Sequence, residues 1–178
     1  MGLTIHYGFF RERMPEEILK EAEEKAKLLG FEVLGRSWNK LILLPDEDCE
    51  SIELHFHKVK TIKAREGWDL EKAQLERKEA EDDEWYAGGF CKTHYAGYQV
   101  HIKVAEFLRW FAGHCSKTDI HDESDYYERG YSEKEVERLK EYLDGYNKML
   151  GNIGAQIKQA FGSENVLLGS DMGAKNGN

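Results

Sequence analysis

The segment 88–101, GGFCKTHYAGYQVH, constrains the fold more than any other part of this chain. It reads as a strand that turns at Gly97 into an amphipathic helix, with Val100, Val104, Phe107, Leu108 and Phe111 along the helix's apolar face. The turn also gathers Lys92, Thr93, His94 and His101. Polar side chains carried by rigid elements are what a chemical site needs. In strand parity Lys92 and His94 go with Phe90, while Thr93 goes with Cys91 and Tyr95. The pattern does not say which set faces inward.

Elsewhere the hydrophobic period switches between two and three-to-four. Leu3, Ile5, Tyr7 and Phe9 alternate with Thr4, His6 and Gly8, which is a strand. Pro15, Glu16 and Glu17 open a helix whose apolar face is Ile18, Ala22, Ala26 and Leu29, and Gly30 closes it. The stretch 31–44 reads as one strand bent at Gly35, and Pro45 to Asp48 as a turn. Ile52, Leu54 and Phe56 then mark a strand antiparallel to its neighbour. Residues 119–123 read as a short return strand running into a loop. Ser132 and Glu135 form a capping box for a helix carrying Val136, Leu139, Leu143, Tyr146, Leu150, Ile153 and Ile157 at alternating steps of three and four. Gly145, Gly151 and Gly154 each weaken that helix by about 1 kcal/mol relative to Ala, so a bend or break near Gly151 is expected.

The expected fold is α+β: a single domain over 1–162 with one mixed, largely antiparallel sheet of about four or five strands and helices mainly on one face. The heavily charged stretch 63–86 reads as a solvated insertion, or more sharply as a lid, and 163–178 as a flexible tail. The element order resembles an elaborated ferredoxin-like arrangement. That fold hosts many unrelated functions and implies no particular activity.

Charge and composition narrow the partners. A formal net charge of −9, without a long basic cluster, disfavours nucleic acid. No apolar run approaches the ~20 residues that span a bilayer, and the first residues lack a cationic stretch followed by an apolar one. A membrane partner is therefore not expected. Cys49, Cys91 and Cys115 form neither an even set nor a CxxC pair, which points away from a disulfide framework and towards a reducing cytoplasm.

Three groups of residues could carry chemistry. Lys92 and Thr93 beside a helix N-terminus near Gly97 suit a carboxylate or phosphate, that is, a small anionic ligand. His101, in the first turn of that helix, suits a general base or metal ligand, because the positive end of the helix disfavours its protonated form. Asp122 and Glu123, at a strand end beside His121, suit acid/base work or metal ligation. His6, Glu53, His55 and His57 share a sheet face by parity, so His55 and His57, with His94, are candidate ligands for a divalent metal. Each group has a plainer reading: an exposed lysine, a half-buried histidine, a solvated loop, a polar sheet face. Walker, Rossmann, GxSxG, HExxH and EF-hand signatures are all missing.

Two functions follow from this pattern. One is an enzyme or small-ligand binder with His101, Asp122, Glu123 and Lys92 catalytic, Thr93, Gly97 and His6 binding the ligand, and His94, His55 and His57 holding any metal. The other is a non-enzymatic interaction protein that forms a homodimer or binds a partner through its long C-terminal helix or an open sheet face.

Overall fold

The computed structural model describes residues 3–60 and 83–161. The centre of the charged insertion and the tail expected over 163–178 lie outside the described residues. In chain order the elements are β1 (Thr4–Arg11), α1 (Glu16–Leu28), β2 (Glu32–Arg36), β3 (Lys40–Leu44), β4 (Ile52–His55) and β5 (His57–Lys60). They continue with β6 (Asp83–Lys92), α2 (Tyr98–Ala112), β7 (Lys117–Asp122), α3 (Tyr126–Arg129) and α4 (Glu133–Phe161).

The strands form two sheets, with orders β5-β6-β1-β7 and β2-β3-β4, and every described pairing is antiparallel. The α+β class holds, but the expected single mixed sheet is replaced by two antiparallel ones. With β2–β4 set aside, the larger sheet has the order and connections of the ferredoxin-like split βαβ arrangement. The smaller sheet is inserted between α1 and β5.

Two local features produce the second sheet. The stretch 31–44 is a hairpin rather than one bent strand, because Ser37, Trp38 and Asn39 turn the chain: the Ser37 N–H donates to the Lys40 carbonyl at 2.8 Å. The irregularity expected at Gly35 is present as a register shift between Val33 and Gly35. At Phe56 the chain then leaves one sheet for the other. Phe56 is held to Asn39 through its N–H (2.8 Å) and its carbonyl (2.9 Å), while its ring is fully buried against Phe111. Strands that change sheets at such corners are a familiar way to wrap two sheets around one core.

The helices keep the signals read from the sequence. Gly30, at φ +83°, ends α1: its N–H donates to Lys27 and the Phe31 N–H to Ala26, the paired bonds of a Schellman motif. Phe31 then packs on Phe107 of α2. Ser132 caps α4 through the Glu135 N–H. The break expected near Gly151 does not occur, and α4 runs as one helix of 29 residues. The strand β6 starts at Asp83, so 83–86 belong to the sheet and not to the charged insertion.

The core lies where α2 covers the inner face of the larger sheet and the smaller sheet closes one side. Ile5, Tyr7 and Phe9 of β1 meet Val104, Phe107 and Phe111 of α2, and Leu41, Leu43, Ile52 and Leu54 join the same cluster. One tyrosine stitches the two sheets. The Tyr7 hydroxyl accepts the Glu53 N–H (2.9 Å) and donates to the Glu53 carbonyl (3.3 Å), satisfying two backbone groups of β4. Burial pushes this phenol well above its ordinary pKa. The ring crosses its cross-strand partner Gly89, where an added Cβ would stand 2.8 Å from the hydroxyl oxygen. Tyr7→Phe should therefore cost about 1–3 kcal/mol, roughly 2–10 °C in Tm. Gly89→Ala should cost a similar amount, and the two changes together should cost less than their sum in thermal melts. Strict additivity would rule out this bridge.

Candidate functional site

Strand register decides which of the polar residues meet. In the order β6-β1-β7, Ile5 faces Cys91 on one side and Asp122 on the other, so all three project from the inner face. Thr93, two residues beyond Cys91, keeps that parity, and its N–H extends the pairing by donating to the Leu3 carbonyl (3.0 Å). Two polar side chains thus point inward from strands flanking β1, about 9–10 Å apart at standard strand spacing. His101, in the first turn of α2, fills that gap. Its Nδ1 lies 2.7 Å from Thr93 Oγ1 and its Nε2 3.0 Å from Asp122 Oδ2. All three residues are 0 % exposed.

The proton positions follow from the partners. A carboxylate only accepts, so Nε2 carries a proton towards Asp122, and in the neutral imidazole Nδ1 accepts from the Thr93 hydroxyl. Asp122 is fully occupied. It takes bonds from His101 Nε2, from the Ser124 N–H (2.9 Å) and hydroxyl (2.9 Å), and from the Tyr127 N–H (3.0 Å). A carboxylate offers about four acceptor sites, and these four donors use them. Burial alone would raise its pKa, but the bonds from His101, Ser124 and Tyr127 outweigh it and hold the carboxyl below its ordinary value. Around it, Asp125 adopts φ +59°, the Asp122 N–H donates to Glu128, and Arg138 of α4 donates to the Ser124 carbonyl. The network therefore ties β6, α2, β7, α3 and α4 together.

The other residues singled out in the sequence do not join it. Lys92 lies on the outer face, over the Phe90 ring (5.4 Å) and 3.2 Å from Glu50. Glu123 has the opposite parity to Asp122; it is exposed, and its carboxylate accepts the Thr4 N–H at 2.8 Å. His6 is on the outer face, stacked on His121 with centroids 6.4 Å apart. Gly97 does start α2, at φ +86°, but no side chain caps that helix.

His94 departs from the parity of Lys92 because β6 ends at Lys92. It is buried between Tyr95 (centroids 3.8 Å apart) and Tyr146 (5.7 Å), and its Nδ1 has no hydrogen-bond partner among the described residues. Burial and then Lys92 lower its pKa. The rings of His55 and His57 do lie side by side, 4.0 Å apart, although the break at Phe56 puts them in different sheets. Among the described residues no group of three or more His, Cys, Asp or Glu side chains is arranged to hold a metal ion, so neither that pair nor His94 has the further ligands it would need.

The residues missed from sequence are Ser124, Tyr127 and Arg138. Ser124, two residues after Asp122, carries a local signal, since an Asp side chain commonly bonds the N–H two positions on. Tyr127 and Arg138 carried none. The surface depression lined by Lys20, Glu21, Lys25, Leu28 and Trp110 shares no residue with the network. Among the described residues, no helix is long and apolar enough to cross a membrane. Comparison with known protein families, with curated proteins and with solved structures finds no match to this chain.

A saturated, buried network of this kind contributes to stability. Because the Asp122 pKa is depressed in the folded state, its contribution is complete above the ordinary carboxylate value of about 3.9 and is lost as pH falls through the folded value. Asp122→Asn, which presents an NH2 group to donors, should cost about 3 kcal/mol or more at neutral pH, and urea midpoints should then fall less steeply with acid than in the parent. Thr93→Val, close to isosteric, should cost about 1–3 kcal/mol by leaving His101 Nδ1 unpaired. Parallel pH profiles for parent and Asp122→Asn would contradict the assignment.

Proposed function

We propose that this chain is a non-enzymatic interaction protein that presents the outer half of α4, and the tyrosine-lined surface at its base, to a protein partner. The carrying observation is a stripe of large side chains with open surface. Tyr142, Tyr146, Met149 and Ile153 recur at steps of four, three and four along one face of α4. Tyr142, Met149 and Ile153 are 47 %, 43 % and 43 % exposed, and Tyr95, beside the stripe, is 70 % exposed.

Several features support this reading. At 1.5 Å per residue α4 is about 43 Å long. Leu139 and Leu143 are its buried anchors, and Val136 is partly buried with them. Tyr146, half-buried against His94, connects the helix stripe to Tyr95. Burial first, then the neighbouring Tyr95, Glu123 and Tyr142, keep its phenol above the ordinary value. Tyrosine and methionine are enriched at protein–protein interfaces, and contiguous apolar surface with a polar rim is how such sites present themselves. A second copy of the chain is the simplest partner to test, since a three/four seam is the pattern by which helices pair.

A second, hydrolytic reading rests on the Thr93–His101–Asp122 chain, in which a hydroxyl points at an imidazole oriented by a carboxylate. The complete burial of Thr93 and the four donors already on Asp122 weigh against it. Turnover of an activated ester that disappears in His101→Asn, in a variant that still folds, would favour it over the interaction reading.

The main test is sedimentation of the full chain over a wide concentration range, for the parent and for Met149→Glu with Ile153→Glu. Association in the parent, weakened at least ~10-fold in the variant with the folding stability of the monomer unchanged within about 0.5 kcal/mol, is the expected outcome. A strict monomer in which amides 142–153 exchange as slowly as those of α2 would sink the proposal, because the stripe would then be covered by the chain itself.

A further inference from the structure

A second chemical group lies where the two sheets meet. Cys91 is on the inner face of β6, fully buried. Cys49 is in the loop between β3 and β4, half-buried. The two sulfurs are 3.4 Å apart, and both thiols approach the Glu50 carbonyl, at 3.3 Å for Cys49 and 3.1 Å for Cys91. The arrangement is anchored. The Glu50 N–H donates to the Lys92 carbonyl (3.1 Å) and the Glu50 carboxylate pairs with Lys92 Nζ (3.2 Å), which holds the residue between the cysteines against the end of β6. A disulfide needs a separation of about 2.05 Å, so a movement of about 1.4 Å by the loop cysteine would close the bond.

We infer that Cys49 and Cys91 form a redox-modification site, a dithiol that a peroxide-class oxidant converts to a disulfide joining the two sheets. Cys49, the accessible partner, attacks one oxygen of hydrogen peroxide. The O–O bond breaks, hydroxide leaves and takes up the thiol proton as water, and Cys49 becomes a sulfenic acid. Cys91 then attacks the Cys49 sulfur, the S–O bond breaks, and the second hydroxide leaves as water with the Cys91 proton. Two thiols lose two electrons and one peroxide becomes two waters. The roles follow from the surroundings. Cys91 is fully buried and out of reach of an oxidant in solvent, while its sulfur, 3.4 Å from Cys49, is within reach of the sulfenic acid formed there. Burial pushes the third thiol, Cys115, up to about 11 even with Arg11 nearby, so it remains protonated near neutral pH. The two cysteines are 42 positions apart, and the bond would close a long loop of chain. Closing a long loop of the unfolded chain favours the folded state.

The test uses the full chain, reduced and then exposed to a small excess of hydrogen peroxide, with intact mass, peptide mapping and thermal melting. The expected result is a loss of two hydrogens, a peptide linking Cys49 to Cys91, Cys115 still open to alkylation, and a Tm higher by at least ~4 °C that dithiothreitol reverses. Cys49→Ser, on a surface loop, should keep the reduced Tm within a few degrees of the parent and show no such gain. Cys91→Ala should leave Cys49 as a sulfenic acid that dimedone traps. Oxidation of Cys49 directly to the sulfinic acid in the parent, or crosslinking through Cys115 with no Cys49–Cys91 peptide, would overturn the inference.

Discussion

The rest of the structure depends on a spanning constraint: one imidazole reaches across a central strand to join its two neighbours. Because β1 lies between β6 and β7, Thr93 and Asp122 are too far apart to meet directly, and His101 bridges them from the first turn of α2. A polar bridge inside an apolar core is stable only when every donor and acceptor is matched. Here the matching extends through Ser124, Tyr127 and Arg138, so α3 and the start of α4 are positioned by the same carboxylate that positions α2. Within this region the Thr93–His101–Asp122 chain is paired at every step, and the open surface beside it is the tyrosine-rich base of α4.

A second stitch holds the inserted sheet. The backbone of β4 finds hydrogen-bond partners in the Tyr7 hydroxyl, and the loop before it is held to β6 through Glu50 and the two cysteines. The first contact depends on the missing side chain of Gly89, where an added Cβ would collide with the Tyr7 ring, and the second on the close approach of the Cys49 and Cys91 sulfurs. The frame and the stitch share β1, whose inward residues serve the histidine bridge at one end and the tyrosine bridge further along.

Much of this was legible in the chain. The periods of β1, β4, α1 and α2, the Gly30 stop, the Ser132 cap and the Gly97 turn are all local, since backbone conformation and side-chain periodicity act over a few residues. Thr93, His101 and Asp122 could be named because each stands at the end of an element, two at strand ends and one in the first turn of a helix. Lys92 and Glu123 were grouped with them because sequence proximity hides strand parity. One residue along a strand reverses the face, and only the pairing with β1 shows that Thr93 and Asp122 point inward while Lys92 and Glu123 do not. His94 escaped for a different reason, because the strand that set its parity ends at Lys92. The hairpin at Ser37–Asn39 lacks the Asn-Gly or Asp-Gly pair that marks a tight turn, so the strands on its two sides read as one.

By itself, then, the sequence determined the element types, the α+β class, the capping of the helices and the set of polar residues from which a site could be drawn. Those are short-range consequences of side-chain size, branching and polarity. Tertiary structure decided that there are two sheets, that Thr93, His101 and Asp122 form a closed buried chain with no free acceptor on the carboxylate, and that Tyr142, Met149 and Ile153 of α4 stay exposed among the described residues. It also brought Cys49 to Cys91 across 42 positions. Each of these depends on which elements lie beside which, and hence on long-range burial of apolar surface, which no local pattern records.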